Sequence, residues 1–141
     1  MNRRHPPCAR PPRHVLWDWN GTLLDDTRAC LAAINRLLAE RTLPAIDLET
    51  YRRHFGFPVR RFYRHLGLHP APEGWDRLAQ RFHELYLREP LRPAPAAHET
   101  VACLARRGLP QSVLSACEQN LLENMIDRHG FPRCFVAVQG T

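Results

Sequence analysis

"VLWDWNGTLLDD", Val15 to Asp26, is the stretch on which the fold turns. Three apolar residues run into Asp18, an Asn-Gly pair follows at Asn20–Gly21, and Thr22, two leucines and two aspartates close it. Asn-Gly between apolar residues is a strong signal for a two-residue hairpin turn. A hairpin needs a return strand of comparable length, however, and "TLLDDT" offers only three residues before two adjacent aspartates and a helix start. The run ahead of Asp18 is also continuously apolar rather than alternating, which suits a parallel sheet covered on both faces. His14 to Asp18 is therefore expected to be a short buried strand ending at a functional loop.

Working outward, a helix is expected from Asp26 or Thr27, either a plausible N-cap, to about Arg41. Cys30, Ile34, Leu37 and Leu38 fall on one face of it. Leu43-Pro44 stops it. A second helical zone covers roughly 47–66, broken near "FGFPV" by Gly56 and Pro58. In its second half Val59, Phe62, Tyr63 and Leu66 share a face, while Arg60, Arg61 and Arg64 point away. "HPAPEG" is a loop, and Trp75, Leu78, Phe82 and Leu85 mark a third helix ending before Pro90. "PLRPAP" is a proline-rich return connection. Ala97, Val101 and Leu104 then mark a helix ended by Gly108, "QSVLSA" a buried strand, Leu121, Leu122, Met125 and Ile126 another helix, and "CFVAV" a last strand. Strand, helical excursion, helix, strand, helix, strand describes an α/β chain. The expected division is a core of residues 1–26 and 92–141, with 1–13 a disordered Pro/Arg-rich tail, and a helical insert over 27–91.

Composition narrows the function classes. A chain of 141 residues with 44% hydrophobic content suits a globular domain. It has no apolar run long enough for a membrane span, and no apolar segment after the N-terminal arginines that would read as a secretory signal. Cys8, Cys30, Cys103, Cys117 and Cys134 form no C-x-x-C pair, which suits reduced thiols in a cytoplasmic protein. The eight histidines form no H-x-x-x-H or mixed Cys/His ligand set. The net charge is +6, carried entirely by arginines spread along the chain, with no lysine. Scattered charge argues against a specific nucleic-acid interface. Arg60, Arg61 and Arg64 could guide an anion, but a solvated helix face accounts for them as well.

The Val15–Asp26 stretch resembles the first motif of the haloacid dehalogenase superfamily, an apolar strand followed by Asp-x-Asp-Gly-Thr, a leucine and a further aspartate. Here those residues are Asp18, Trp19, Asn20, Gly21, Thr22 and Leu23, with Asp25 and Asp26 just after. "YRRHFGFPVRRFYRHLGL" resembles the helical cap of the phosphoglycolate phosphatase-like branch. "VLSACEQ" resembles the second motif, ending its strand in Ser115, and "LLENMIDRHGFPRCFVAVQG" resembles the segment after it. The likeness runs from about His14 to the end. It implies a doubly wound, Rossmann-like core with an inserted cap, and Mg²⁺-dependent hydrolysis of a small phosphorylated metabolite. In that scheme Asp18 is the nucleophile that forms an aspartyl-phosphate, and Mg²⁺ rests against Asp18 and the main-chain carbonyl of Asn20. Gly21, Thr22, Ser115 and Ala116 bind the phosphate. The chemistry is sensible on its own terms, because strand ends of parallel sheets bind ligands, a carboxylate there can attack phosphorus, and a cation shields the approach of two anions.

Two departures stand against full activity. The family's acid/base aspartate is Asn20 here, which forms hydrogen bonds but transfers no proton. The lysine of the third motif and the late acidic motif are missing too, since after Ser115 the only acids are Glu118, Glu123 and Asp127. The expectation is the first part of such an enzyme, ended early. The alternative is a non-catalytic fragment or a phosphate-binding remnant.

Overall fold

The computed structural model describes residues 12–70, 74–131 and 133–141. Most of the expected disordered tail, with Cys8, lies outside them, as do residues 71–73 of the "HPAPEG" loop. The chain divides into two units: one joins the segment up to Leu24 with Pro93–Thr141, the other is Asp25–Arg92.

In the first unit, β1 (Val15–Trp17), β4 (Gln111–Leu114) and β5 (Phe135–Gln139) form a parallel sheet of order β1-β4-β5. Trp17 stands opposite Val113, and Val113 opposite Val138. Parallel neighbours need a crossover, and α6 (Gln119–Arg128) supplies the one between β4 and β5; α5 (Ala97–Arg106) leads into β4. The fold class is thus α/β with a parallel sheet, as the sequence implies. Buried Gln111 ties β4 to its surroundings: its Nε2 donates to the Val101 carbonyl at 3.0 Å, and its Oε1 accepts from Trp17 Nε1 at 2.9 Å. Between Gln111 and Ser112 the register with β5 slips by one residue, so that Ala137 rather than Val136 meets Ser112. A residue skipped in this way is turned out of the ladder, and Val136 is 67% exposed.

One expectation needs correcting. The strands are not covered on both faces, for Leu16 and Leu114 are exposed along with Val136. The unit's core is made instead by Trp19, Val101, Val113, Leu122, Met125 and Phe131. A continuous apolar run is compatible with one covered face or two, and only the number of packed layers distinguishes them.

The second unit contains α1 (Thr27–Ala39), α2 (Leu48–His54), α3 (Val59–His65) and α4 (Gly74–Tyr86). Asp47 caps α2 by accepting from Thr50 N at 2.7 Å. Asp26 occupies the N-cap position of α1, but its side chain makes no capping bond. It is buried and accepts instead from the Tyr86 hydroxyl at 2.8 Å and the Cys30 thiol at 3.8 Å. Tyr51, Phe62 and Tyr63 are buried with Leu37, Leu38, Leu78 and Leu85. Phe62 meets Tyr51 edge-on at 5.6 Å between ring centres, and Tyr63 stacks on Trp75 at 6.5 Å. The return connection contains a short strand that the proline pattern conceals: β3 (Arg92–Pro93) pairs with β2 (Leu24–Asp25) where the chain passes between the units.

Candidate active site

After Trp17 the chain leaves the sheet and folds back on itself. The Trp19 carbonyl accepts from Thr22 N at 3.2 Å and Leu24 N at 3.0 Å, and Gly21 N donates to the Leu24 carbonyl at 2.9 Å. This turn puts Gly21 at φ +74°, a conformation that glycine alone adopts without strain. The Asn-Gly pair therefore serves a loop at the strand end, and no hairpin forms. Trp19 is fully buried, its ring edge-on to Phe131 at 5.2 Å, with Phe131 against His98 at 4.3 Å. Anchoring the middle residue inward leaves Asp18 exposed and Asn20 half-buried on either side of it. The cost is an indole N–H of Trp19 buried with no partner among the described residues.

The sequence-designated residues come together in two pairs. Thr22 Oγ1 donates to Asp18 Oδ2 at 3.2 Å, and Ser115 Oγ donates to Asn20 Oδ1 at a long 3.4 Å. Ser115, buried at the end of β4, also accepts from Cys117 N at 3.1 Å, which curls the main chain around its hydroxyl. Ala116, next to Ser115, is exposed, and no described residue accepts from its amide. The loops after β1 and β4 thus meet through Asn20 and Ser115, at the carboxyl edge of adjacent parallel strands, where such sheets take ligands.

Gln119 and Gly140 close the "VLSACEQ" and "LLENMIDRHGFPRCFVAVQG" segments, but the sequence reading gave neither a role. Gly140 N donates to Gln119 Oε1 at 2.5 Å, and Gln119 Nε2 donates to the Val138 carbonyl at 3.2 Å. Thr141 N donates to the Cys117 carbonyl at 2.9 Å, while Gln119 N donates to the Thr141 carbonyl at 3.1 Å. The Ser115–Glu118 loop is thereby clamped to the segment after β5. Gly140 is required there, because a Cβ would lie 2.6 Å from the Cys117 carbonyl oxygen and 2.8 Å from Gln119 Cα. Glu118 completes the loop by capping α6, accepting from Asn120 N and Leu121 N at 3.0 and 2.9 Å. The signal for this clamp was present as a glycine after an apolar strand, but its partner lies 21 residues away in sequence.

Among the described residues no cluster of three or more His, Cys, Asp or Glu is assembled to hold a metal. The oxygen donors at the β1 edge are the exposed Asp18 carboxylate and nearby main-chain carbonyls. That set suits a hard cation such as Mg²⁺, which keeps several waters and takes one or two carboxylates together with substrate oxygens. It does not suit a metal needing an all-protein cage. No helix among the described residues is long and apolar enough to cross a membrane.

Comparison with known proteins fits this geometry. A 43-residue segment is 51% identical to phosphoglycolate phosphatase of Xanthomonas campestris pv. campestris, covering 30% of this chain and 20% of that protein. A predicted phosphoglycolate phosphatase from Haemophilus somnus superposes with a TM-score of 0.74 at 16% identity, over 91% of this chain and 62% of its own. A haloacid dehalogenase-like family hydrolase from Streptococcus pneumoniae gives 0.76 at 16% identity, over 92% and 61%. CbbY from Rhodobacter sphaeroides, solved as a variant in complex with xylulose-(1,5)bisphosphate, gives 0.68 at 21% identity, over 91% and 63%. The chain spans about three fifths of these structures' lengths. The family profile of the haloacid dehalogenase-like hydrolases matches residues 15–141, and the chain belongs to that family.

Proposed function

We propose that Asp18 accepts a phosphoryl group from a small phosphate ester of the kind handled by phosphoglycolate phosphatases. The observation carrying this reading is an exposed carboxylate just past the end of β1, its Oδ2 accepting from Thr22 Oγ1, with Ser115 at the neighbouring strand end joined to Asn20. An Asp18 carboxylate oxygen attacks phosphorus as the bond to the ester oxygen breaks, and the departing oxygen takes a proton. Gly21, Thr22, Ser115 and Ala116 position the phosphate through hydroxyl and main-chain donors, as a developing negative charge requires. Mg²⁺ would be held by the Asp18 carboxylate and the Asn20 main-chain carbonyl, and when bound it would lower the repulsion between carboxylate and phosphate.

Asn20 sets the pace of both proton-dependent steps. With no side-chain acid or base at that position, the proton for the leaving group comes from solvent, and water attacks the phosphorus of phospho-Asp18 without help. A long-lived phosphoryl adduct is therefore expected. Incubation with Mg²⁺ and acetyl phosphate, followed by mass spectrometry, should map the adduct to Asp18. Asn20→Asp should shorten its lifetime by about 100- to 10,000-fold. Equal lifetimes would remove residue 20 from proton transfer.

A second reading, a phosphate-binding module without chemistry, is favoured by the same Asn20 and by the absence of lysine from the chain. Mg²⁺ with beryllium fluoride should raise the melting temperature, since a ligand binding only the folded state stabilises it, and Asp18→Asn should abolish the rise. A rise without any adduct from acetyl phosphate selects the binding module. No rise at all rejects both readings.

A further inference from the structure

Where the chain enters and leaves the helical unit, four charged side chains gather around one cavity. It has a volume of about 230 Å³ and is lined by Asp25, Arg28, Ala29, Glu89, Pro90 and Arg92, all within that unit. Main-chain pairing sets β2, with Asp25, beside β3, with Arg92, and the first turn of α1 adds Arg28. Glu89 has its counter-charge: its Oε1 lies 2.7 Å from Arg36 Nη2, and its side chain is only 15% exposed. Asp25, Arg28 and Arg92 differ. All three are exposed, and none forms an ion pair among the described residues. The cavity therefore holds two guanidinium groups and one carboxylate whose charges are unanswered, with Ala29 and Pro90 as the apolar part of its lining.

We propose that this cavity binds a small zwitterion, a molecule with a carboxylate and an ammonium group on a short carbon body. A guanidinium presents planar, paired N–H donors that match a carboxylate, and Arg28 and Arg92 would share the ligand's. The ammonium group would then face Asp25, whose charge no described residue meets. Each simpler ligand leaves a conflict. A plain carboxylate answers the arginines but sets a second negative charge beside Asp25, and a plain amine sets a positive charge beside Arg28 and Arg92. The space would hold several waters at roughly 30 Å³ each, enough for a short amino acid whose carbons pack on Ala29 and Pro90. Because the three side chains are exposed, binding is expected to be weak and sensitive to salt. The site shares no residue with the Asp18 constellation and does not depend on the role assigned to Asp18.

The test is a titration of the intact chain, at low ionic strength, with glycine, β-alanine and γ-aminobutyrate, zwitterions of increasing charge separation. The backbone amide signals of Arg28, Ala29 and Glu89 are followed by NMR. Saturable shifts are expected with at least one of these probes, unchanged in Asp18→Asn. Acetate and methylammonium, each carrying a single charge, should bind about tenfold more weakly, the effect of losing one charge-assisted contact. Arg28→Gln and Arg92→Gln should each weaken the best zwitterion by a similar factor, and Asp25→Asn should bring its affinity down to that of acetate. The replaced side chains are exposed, so each variant should keep the wild-type circular dichroism and melt, which separates lost binding from lost folding. Shifts that never saturate with any zwitterion, that persist at full affinity in both arginine variants, or that vanish in Asp18→Asn would overturn the proposal. Acetate or inorganic phosphate binding as tightly as the best zwitterion would overturn it in favour of a plain anion site.

Discussion

Around Ser115 the α/β unit is held by hydrogen bonds from main-chain amides: Cys117 N to the serine hydroxyl, Gly140 N to the Gln119 side chain, Thr141 N to the Cys117 carbonyl. The helical unit is held by rings and side chains, with Phe62 between Tyr51 and Tyr63, Trp75 beneath two arginines, and Asp26 shared by Tyr86 and Cys30. The difference is one of which atoms carry the contacts. If the Ser115 loop presents amides to a phosphate, as proposed, its backbone must be fixed, because the donors are the backbone. Four short helices need only a packed interior, and aromatic side chains supply the largest apolar area per residue.

The contrast predicts where substitutions will hurt. Phe62→Ala should cost about 3–5 kcal/mol in urea unfolding, since it removes a fully enclosed ring from the centre of the helical unit. A loss under about 1 kcal/mol would mean that the rings are not the unit's core.

Glycine sharpens the comparison. Gly140→Ala should cost roughly 1–3 kcal/mol, because the new methyl meets main-chain atoms of the Ser115 loop that cannot step aside. Gly56→Ala, where a Cβ meets nothing within 4 Å, should be neutral or slightly stabilising. Equal effects in paired urea melts would erase the distinction between a fixed loop and a tolerant one.

Hydrogen-bonding side chains come next. Gln119→Met keeps the length but loses two bonds to the strand end, about 1 kcal/mol each. It should also weaken the thermal shift produced by Mg²⁺ and beryllium fluoride. Asp47→Ala should lower the melting temperature slightly through the lost cap of α2 and leave that shift alone. If both variants altered the shift equally, Gln119 would have no special part in shaping the loop.

The smallest effect at neutral pH belongs to Cys30. Burial, with Asp26 beside it, pushes its thiol from the ordinary 9.0 up to about 12. The folded chain therefore holds that proton after the unfolded chain has released it. Its contribution is intact below pH 9 and is lost as pH rises from there toward 12. Burial shifts Tyr51 and Tyr63 upward as well, in the same unit and the same direction. Unfolding free energies between about pH 8 and pH 10.5 should fall, less steeply in Cys30→Ala, and iodoacetamide should spare Cys30 until the chain unfolds. Prompt alkylation of the folded chain at about pH 8 would show the thiol to be accessible.

The sequence by itself determined the order of the helices and of the three sheet strands, though not the short β2 and β3, because apolar periodicity and Gly/Pro punctuation are local signals. It also determined the chemistry available at Asp18, Asn20 and Ser115, since side-chain type decides what can attack, bind or carry a proton. Only the tertiary structure decided that Asp26 serves Tyr86 and Cys30 rather than capping α1, and that one face of the sheet stays exposed. Only there did Gln119 meet Gly140, and Arg28 join Arg92 around one cavity. Each of these depends on which surfaces meet across many residues of chain, and a local pattern of apolar and polar positions carries no record of its distant partner.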